Sequence, residues 1–138
     1  MVMMTPQQVI ENFEYLDDWN DRYEYLEELG KYLPPIDDKL RIDENRVMPC
    51  MSKVWVIAVR DAEKQEWIRF SGDCDTSIIK GVLALLIGLM SNRTIQEIDD
   101  MNIDFLFERL KLGEHLSPNR HVGIYAIVEV MKTKAHEL

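Results

Sequence analysis

The chain predicts an α+β fold, a small antiparallel sheet with helices gathered on one face. Three observations carry that expectation. Apolar residues recur at helical spacing at both ends of the chain. Two runs rich in β-branched and aromatic residues, 52–60 and 65–71, lie together in the middle with a short polar turn between them, as in a hairpin. Strands grouped between helices, rather than alternating with them, favour helices packed on an antiparallel sheet. A length of 138 residues suits one domain, 1–138, with enough chain to bury a core.

Taken in order, Thr5 caps a first helix, with Pro6 at its first position, where a missing N–H is no loss. Val9, Ile10, Phe13 and Leu16 form its apolar stripe. Asp17 and Asp18 break it and offer a new cap. Trp19, Tyr23, Leu26 and Leu29 follow at helical spacing, with Gly30 as the expected stop. Trp19 and Tyr23 are expected to face inward, as aromatic stripes on helices normally do. Leu33-Pro34-Pro35 ends the helical region, and 36–44 reads as loop. The first strand runs to about Arg60, a polar turn occupies 61–64, and the second strand carries Trp67 and Phe70. Gly72-Asp73-Cys74-Asp75 is expected to break the sheet, with Asp75 capping the next helix. From Ile78 to Met90 almost every residue is apolar, which marks a buried helix. Thr94 to Glu97 is a capping box, and Asp104 opens a further helix. Ser117-Pro118 opens the last one, where Arg120 precedes Ile124, Ile127, Val128 and Met131 on one face.

Composition narrows the function. A net charge of −9 argues against nucleic acid as a main partner. It is compatible with docking on a basic protein surface, although solubility alone also accounts for it. The longest apolar run, 82–90, is far short of the ~20 residues of a membrane span. No secretory leader is visible, and two cysteines make no disulfide framework. The expectation is a cytoplasmic protein with reduced thiols and no membrane partner. His115, His121 and His136 lack the spacing of a zinc set, so no metal is expected, and His115 and His121, flanking the Ser-Pro turn, read as surface residues.

The informative stretch is Asn45-Arg46-Val47-Met48-Pro49-Cys50-Met51-Ser52-Lys53-Val54-Trp55. Pro49 stiffens a turn that feeds directly into a strand. Cys50 therefore stands where backbone pairing begins. The residues alone leave it open between a small buried hydrophobe and a working thiol.

Val47, Cys50, Ser52, Val54 and Trp55 fall in register with a family pattern, roughly Val-x-Gly-Cys-x-Ser-x-Val-Trp. Trp19, Tyr23, Leu29-Gly30, Leu33-Pro34, Gly72-Asp73-x-Asp75, Lys80-Gly81, Leu116-Ser117-Pro118-x-Arg120 and Gly123 extend the match from about 19 to 123. The chain resembles the SufE family, the SufE/CsdE-like sulfur acceptors of SufS-type cysteine desulfurases. It departs at Pro49, where the family usually has glycine, and at Cys74, where a small polar residue is usual.

The resemblance implies a SufE/NifU-like fold with a sheet of about three strands against N- and C-terminal helices. It implies a sulfurtransferase-like carrier and activator rather than a stand-alone enzyme. Pyridoxal phosphate would sit on the partner desulfurase only, and this chain would need no cofactor. Cys50 would take persulfide sulfur and deliver it to an iron–sulfur assembly scaffold such as SufBCD. Arg120 would contact the partner or support the loop. Asp73 and Asp75 would bear on partner engagement, Asp75 being a helix cap first. Ser52 is expected to bond the loop backbone. Lys53 and Arg46, beside the loop in sequence, are further candidate cations for the thiolate, Lys53 also as a partner-binding or loop-supporting residue, with solvated surface charges as the plainer reading of both. Two alternatives remain. One is a non-carrier binding module of the same fold, which Pro49 would favour. The other is a Cys50–Cys74 redox switch, which needs Cα atoms within about 7 Å.

Overall fold

The structure is a computed structural model describing residues 5–48 and 52–138, with the His115 side chain excepted. Helix α1 (Pro6–Tyr15) begins with a reciprocal box. Thr5 Oγ1 accepts from the Gln8 N–H at 3.2 Å, and Gln8 Oε1 accepts from the Thr5 N–H at 2.9 Å. Asp18 caps helix α2 (Trp19–Lys31), accepting from the Asn20 N–H at 2.8 Å. Trp19 and Tyr23 are only half-buried. The buried residue of this turn is Arg22. Its Nε donates to Leu16 O at 2.7 Å, and its guanidinium lies over the Phe13 and Trp19 rings at 5.1 and 5.0 Å.

Gly30 does not stop α2. The helix runs one residue further, and no glycine among the described residues takes a positive φ. What this segment needs is closeness to helix α3 (Ser77–Met90). A Cβ built on Gly81 would lie 2.0 Å from Leu26 O, so the two backbones approach within a distance that only glycine permits.

Strands β1 (Val54–Arg60) and β2 (Ile68–Cys74) pair antiparallel, from Val54↔Cys74 to Arg60↔Ile68. The second strand therefore starts later than its sequence suggests and runs through Gly72-Asp73-Cys74, the expected break. The late start has a local cause. Asp61 Oδ1 accepts from the Glu63 and Lys64 N–H groups, and the Trp67 N–H donates to Lys64 O, which lengthens the turn to 67. The late end has a tertiary cause. Gly72 faces Trp55 O so closely that a Cβ would sit 2.4 Å from it, so glycine here continues the ladder rather than ending it.

The described residues form two strands, not about three. Single bridges flank them, Arg46↔Trp55 on one edge and Ile68↔Arg93 on the other. A 3-10 turn over Asp43–Asn45 brings Arg46 alongside β1 for one pairing only. Asn92, at φ 60°, turns the chain out of α3 so that Arg93 O accepts from the Ile68 N–H at 2.8 Å.

Val54, Val56, Ile68, Phe70 and Cys74 face inward from the sheet onto α3, whose Leu83 and Leu86 are fully buried. Helix α7 (Pro118–His136) packs on β1 and adds Ile127 and Met131 to the same core. Three short helices, α4 (Ile95–Asp99), α5 (Asp104–Arg109) and α6 (Leu112–His115), close it with Ile98, Leu106 and Leu112. Thr94 forms the expected capping box of α4. Ser117 caps α7 ahead of Pro118. Both packing assignments leave the starts of α3 and α7 beside the N-terminal end of β1.

Candidate functional site: the cysteine loop and its cavity

Pro49, Cys50 and Met51 lie outside the described residues. The chain on either side of them is well tied. The Val47 N–H donates to Val54 O at 2.8 Å, closing the base of the loop 48–53. Lys53 and Asp75 are bonded reciprocally: the Lys53 N–H donates to Asp75 Oδ1 at 2.9 Å and the Asp75 N–H donates to Lys53 O at 3.1 Å. Asp75 is thus not the cap of α3. Thr76 holds that position, without a capping hydrogen bond from its side chain. Its hydroxyl pairs with the Ser52 hydroxyl at 2.6 Å and donates to Asp75 Oδ1 at 3.3 Å. Ser52 therefore bonds a helix start, while loop residues 49–51, which its expected backbone bond concerns, lie outside the described residues.

Asp73 does a different job. Arg41 reaches it at 2.5 Å and Lys80 at 3.1 Å, and the Cys74 N–H donates to it at 2.8 Å. Burial pushes its carboxyl up, but the Cys74 N–H and the Lys80 and Arg41 cations outweigh that and hold it below the usual carboxylate range. Arg41 also lies over the Trp55 ring at 5.6 Å. The cluster straps the 3-10 turn Asp38–Leu40 to the outer side of the sheet.

A cavity of about 320 Å³ opens between the starts of α3 and α7. Ser52, Asp75, Thr76 and Ile79 form one wall, and Ser117, Asn119 and Arg120 the other. It brings Ser52, Asp75 and Arg120 together but leaves Asp73 and Lys53 out. Arg120 is half-buried, and among the described residues its guanidinium forms no ion pair with a carboxylate. The lining combines two helix starts, the Arg120 guanidinium, the hydroxyls of Ser52, Thr76 and Ser117 and the Asp75 carboxylate, and Ile79 gives it an apolar side. Thr76, Ile79 and Asn119 escaped the sequence reading. Ser52 and Thr76 meet across 24 positions, and no local pattern announces such a contact.

Cys74 is buried at the end of β2, and its Sγ accepts from the Thr76 N–H at 3.4 Å. His121 Nε2 lies 3.1 Å from Leu112 O, and His136 Nε2 lies 2.8 Å from Asp99. The His115 side chain is outside the described set. Among the described residues no group of three or more His, Cys, Asp or Glu is gathered as for a metal ion, and no helix is long and apolar enough to cross a membrane.

The α+β fold has a known counterpart. The family model described as "SufE: Fe-S metabolism associated domain" matches residues 7–135. The chain belongs to that family and is thereby associated with iron–sulfur metabolism. An uncharacterized SufE-like protein of Rhizobium etli is 35% identical over 136 residues, covering 98% of this chain and 92% of the relative. Another uncharacterized SufE-like protein, of Rhizobium meliloti, is 36% identical over 135 residues, covering 96% of each. The solution structure of a hypothetical protein from Thermus thermophilus superposes with a TM-score of 0.75, at 19% identity, over 99% of this chain and 97% of that one. The last likeness bears on the fold alone.

Proposed function

We propose that this protein is a sulfur acceptor that takes persulfide sulfur from a SufS-type cysteine desulfurase onto Cys50, stimulates that enzyme and passes the sulfur towards iron–sulfur cluster assembly. One observation carries the reading: in a SufE-family chain, a cavity lined by Arg120, which has no carboxylate partner among the described residues, has Ser52 in its wall, two residues from Cys50 in sequence. Two residues of chain reach at most about 7 Å, which is the longest Cα–Cα span from Ser52 to Cys50.

The step needs no resident cofactor. The Cys50 thiolate attacks the outer sulfur of the partner's persulfide. A new S–S bond forms at Cys50, the partner's S–S bond breaks, and the partner's cysteine leaves as a thiolate. Electrons balance without an external oxidant. At a pKa of about 8.5 a free thiol is only a few per cent ionised near pH 7, so a cation at the site raises the reactive fraction. Arg120 is the candidate within the cavity. Ser52, Thr76 and Asp75 hold the C-terminal flank of the loop to the start of α3. Delivery to a scaffold such as SufBCD, and a cytoplasmic setting, belong to the same reading.

The test is incubation with a pyridoxal-phosphate-containing desulfurase and cysteine, followed by mass analysis of intact chain and of desulfurase turnover. A one-sulfur adduct and faster turnover are expected, both lost in Cys50→Ala. Stimulation that survives Cys50→Ala would instead favour the non-carrier binding module.

A further inference from the structure

The surface of α1 and α2 carries more negative charge than its own contacts use. Residues 11–28 hold eight acidic side chains, all exposed, and one basic one, Arg22, which is buried. Most of the chain's net charge of −9 therefore lies in this stretch. Glu24 stands three or four residues from Asp21, Glu27 and Glu28, the spacing at which like charges on a helix repel. Among the described residues only Glu14 and Glu28 of the eight meet a cation, Arg109 and Lys31. Solubility calls for charge, but not for charge gathered on one helix face at a cost to that helix.

The same face carries aromatic rings. Trp19, Tyr23 and Glu27 follow one another a turn apart along α2, and the Trp19 and Tyr23 rings lie 5.4 Å apart, both half-buried. Tyr15, at the end of α1, is 87% exposed. Two arginines of this chain already show what such a face holds. Arg22 lies over the Phe13 and Trp19 rings at 5.1 and 5.0 Å, and Arg109, from α5, meets Glu14 at 2.5 Å. A planar guanidinium stacks on a ring and pairs with a carboxylate, whereas a lysine gains the charge with less of the stacking. Nucleic acid, an anionic membrane and a second copy of this acidic chain would all be repelled by the same field. None of these side chains lines the cavity beside the cysteine loop.

We infer that the outer face of α1 and α2 is a docking surface for an arginine-bearing basic segment of a partner protein, held by the carboxylates of Asp21, Glu24 and Glu27 and by the exposed parts of the Trp19 and Tyr23 rings. The inference goes beyond the carrier reading and does not depend on it. A partner held here and one engaged at the cavity contact different residues of the chain.

The test titrates the full chain, labelled with nitrogen-15, with hexa-arginine, hexalysine and hexaglutamate peptides and with phosphatidylserine vesicles. Hexa-arginine is expected to move the NMR signals of the Trp19 indole N–H and the α2 amides, to bind several-fold more tightly than hexalysine, and to weaken as salt rises. Hexaglutamate and the vesicles are expected not to bind. Glu24→Lys combined with Glu27→Lys, both at exposed positions, should lower the affinity for hexa-arginine about tenfold. Trp19→Leu should bring hexa-arginine down to the affinity of hexalysine. Equal affinity of the wild type for the two basic peptides, signals that move elsewhere than on α1 and α2, or an affinity unchanged by the double substitution overturns the inference. Vesicle binding or self-association through this face overturns it too. Should a variant not fold, the wild-type comparison of the two basic peptides decides. No sulfur transfer is read, so the outcome is separable from that of the carrier reading.

Discussion

Replacing Gly81 by alanine tests the packing that positions the site. In an isolated helix the change would stabilise by about 1 kcal/mol. Here the new Cβ would sit 2.0 Å from Leu26 O, 2.6 Å from Leu26 C and 3.0 Å from Leu26 Cα. All three are backbone atoms, so no side chain can swing aside. Ordinary contact begins near 3.4 Å, and α2 and α3 must part by more than an ångström along their seam. Overpacking of flexible side chains costs about 1–3 kcal/mol, and a backbone clash stands at the upper end of that range. After the gain in propensity, a net loss of about 2 kcal/mol is expected, or a fall of roughly 8 °C in Tm for a chain of this size. Urea unfolding and thermal melts measure both. Ile79 and Thr76 lie within two turns of Gly81 on α3, so a parted seam also disturbs the cavity wall, and sulfur acceptance should fall with stability. A Gly81→Ala variant as stable as the wild type, or more so, would refute the close crossing.

Three further outcomes follow from named contacts. Asp73→Asn leaves Arg41 and Lys80 without their carboxylate and should cost about 2 kcal/mol at pH 7. Because the folded Asp73 value is depressed, its contribution is present above the unfolded carboxylate range and is lost as pH falls below about 4, so urea midpoints of variant and wild type should converge there. Arg120→Ala should slow sulfur transfer about tenfold, equivalent to ~1.4 kcal/mol, with little change in Tm, since no carboxylate is left behind unpaired; stopped-flow transfer assays read it. Tyr125 is hydrogen-bonded to Asp104, and that bond, then burial and the Asp104 charge, push its hydroxyl up to about 12. The raised value means its contribution is intact below about pH 10 and fades as pH climbs to about 12. Ultraviolet titration should find one tyrosine ionising late, and Tyr125→Phe should remove that phase.

The legible parts of the fold were those written locally. Thr5-Pro6, Thr94 to Glu97 and Ser117-Pro118 each place a helix start within four residues, and each start is where that chemistry puts it. The less legible parts depend on contacts far along the chain. Gly72 read as a break because its reason for being glycine, the Trp55 carbonyl, comes from the neighbouring strand. Asp75 read as a helix cap because Thr76-Ser77 follow it, while its carboxylate turns to Lys53 across the sheet end. Arg22 passed unremarked because only the fold brings Phe13, Trp19 and the Leu16 carbonyl around it. For the site, Ser52, Asp75 and Arg120 were identified one by one. That they share a cavity with Thr76, Ile79 and Asn119 is a property of two helix starts meeting, which no single segment encodes.

The most direct measurement gives a desulfurase cysteine labelled with radioactive sulfur, adds this chain for a single turnover, and maps the label by peptide. The account predicts label on the peptide that contains Cys50, removable by a thiol reductant, none on Cys74, and none anywhere in Cys50→Ala. Label that never leaves the desulfurase, or that arrives equally well without Cys50, would contradict it.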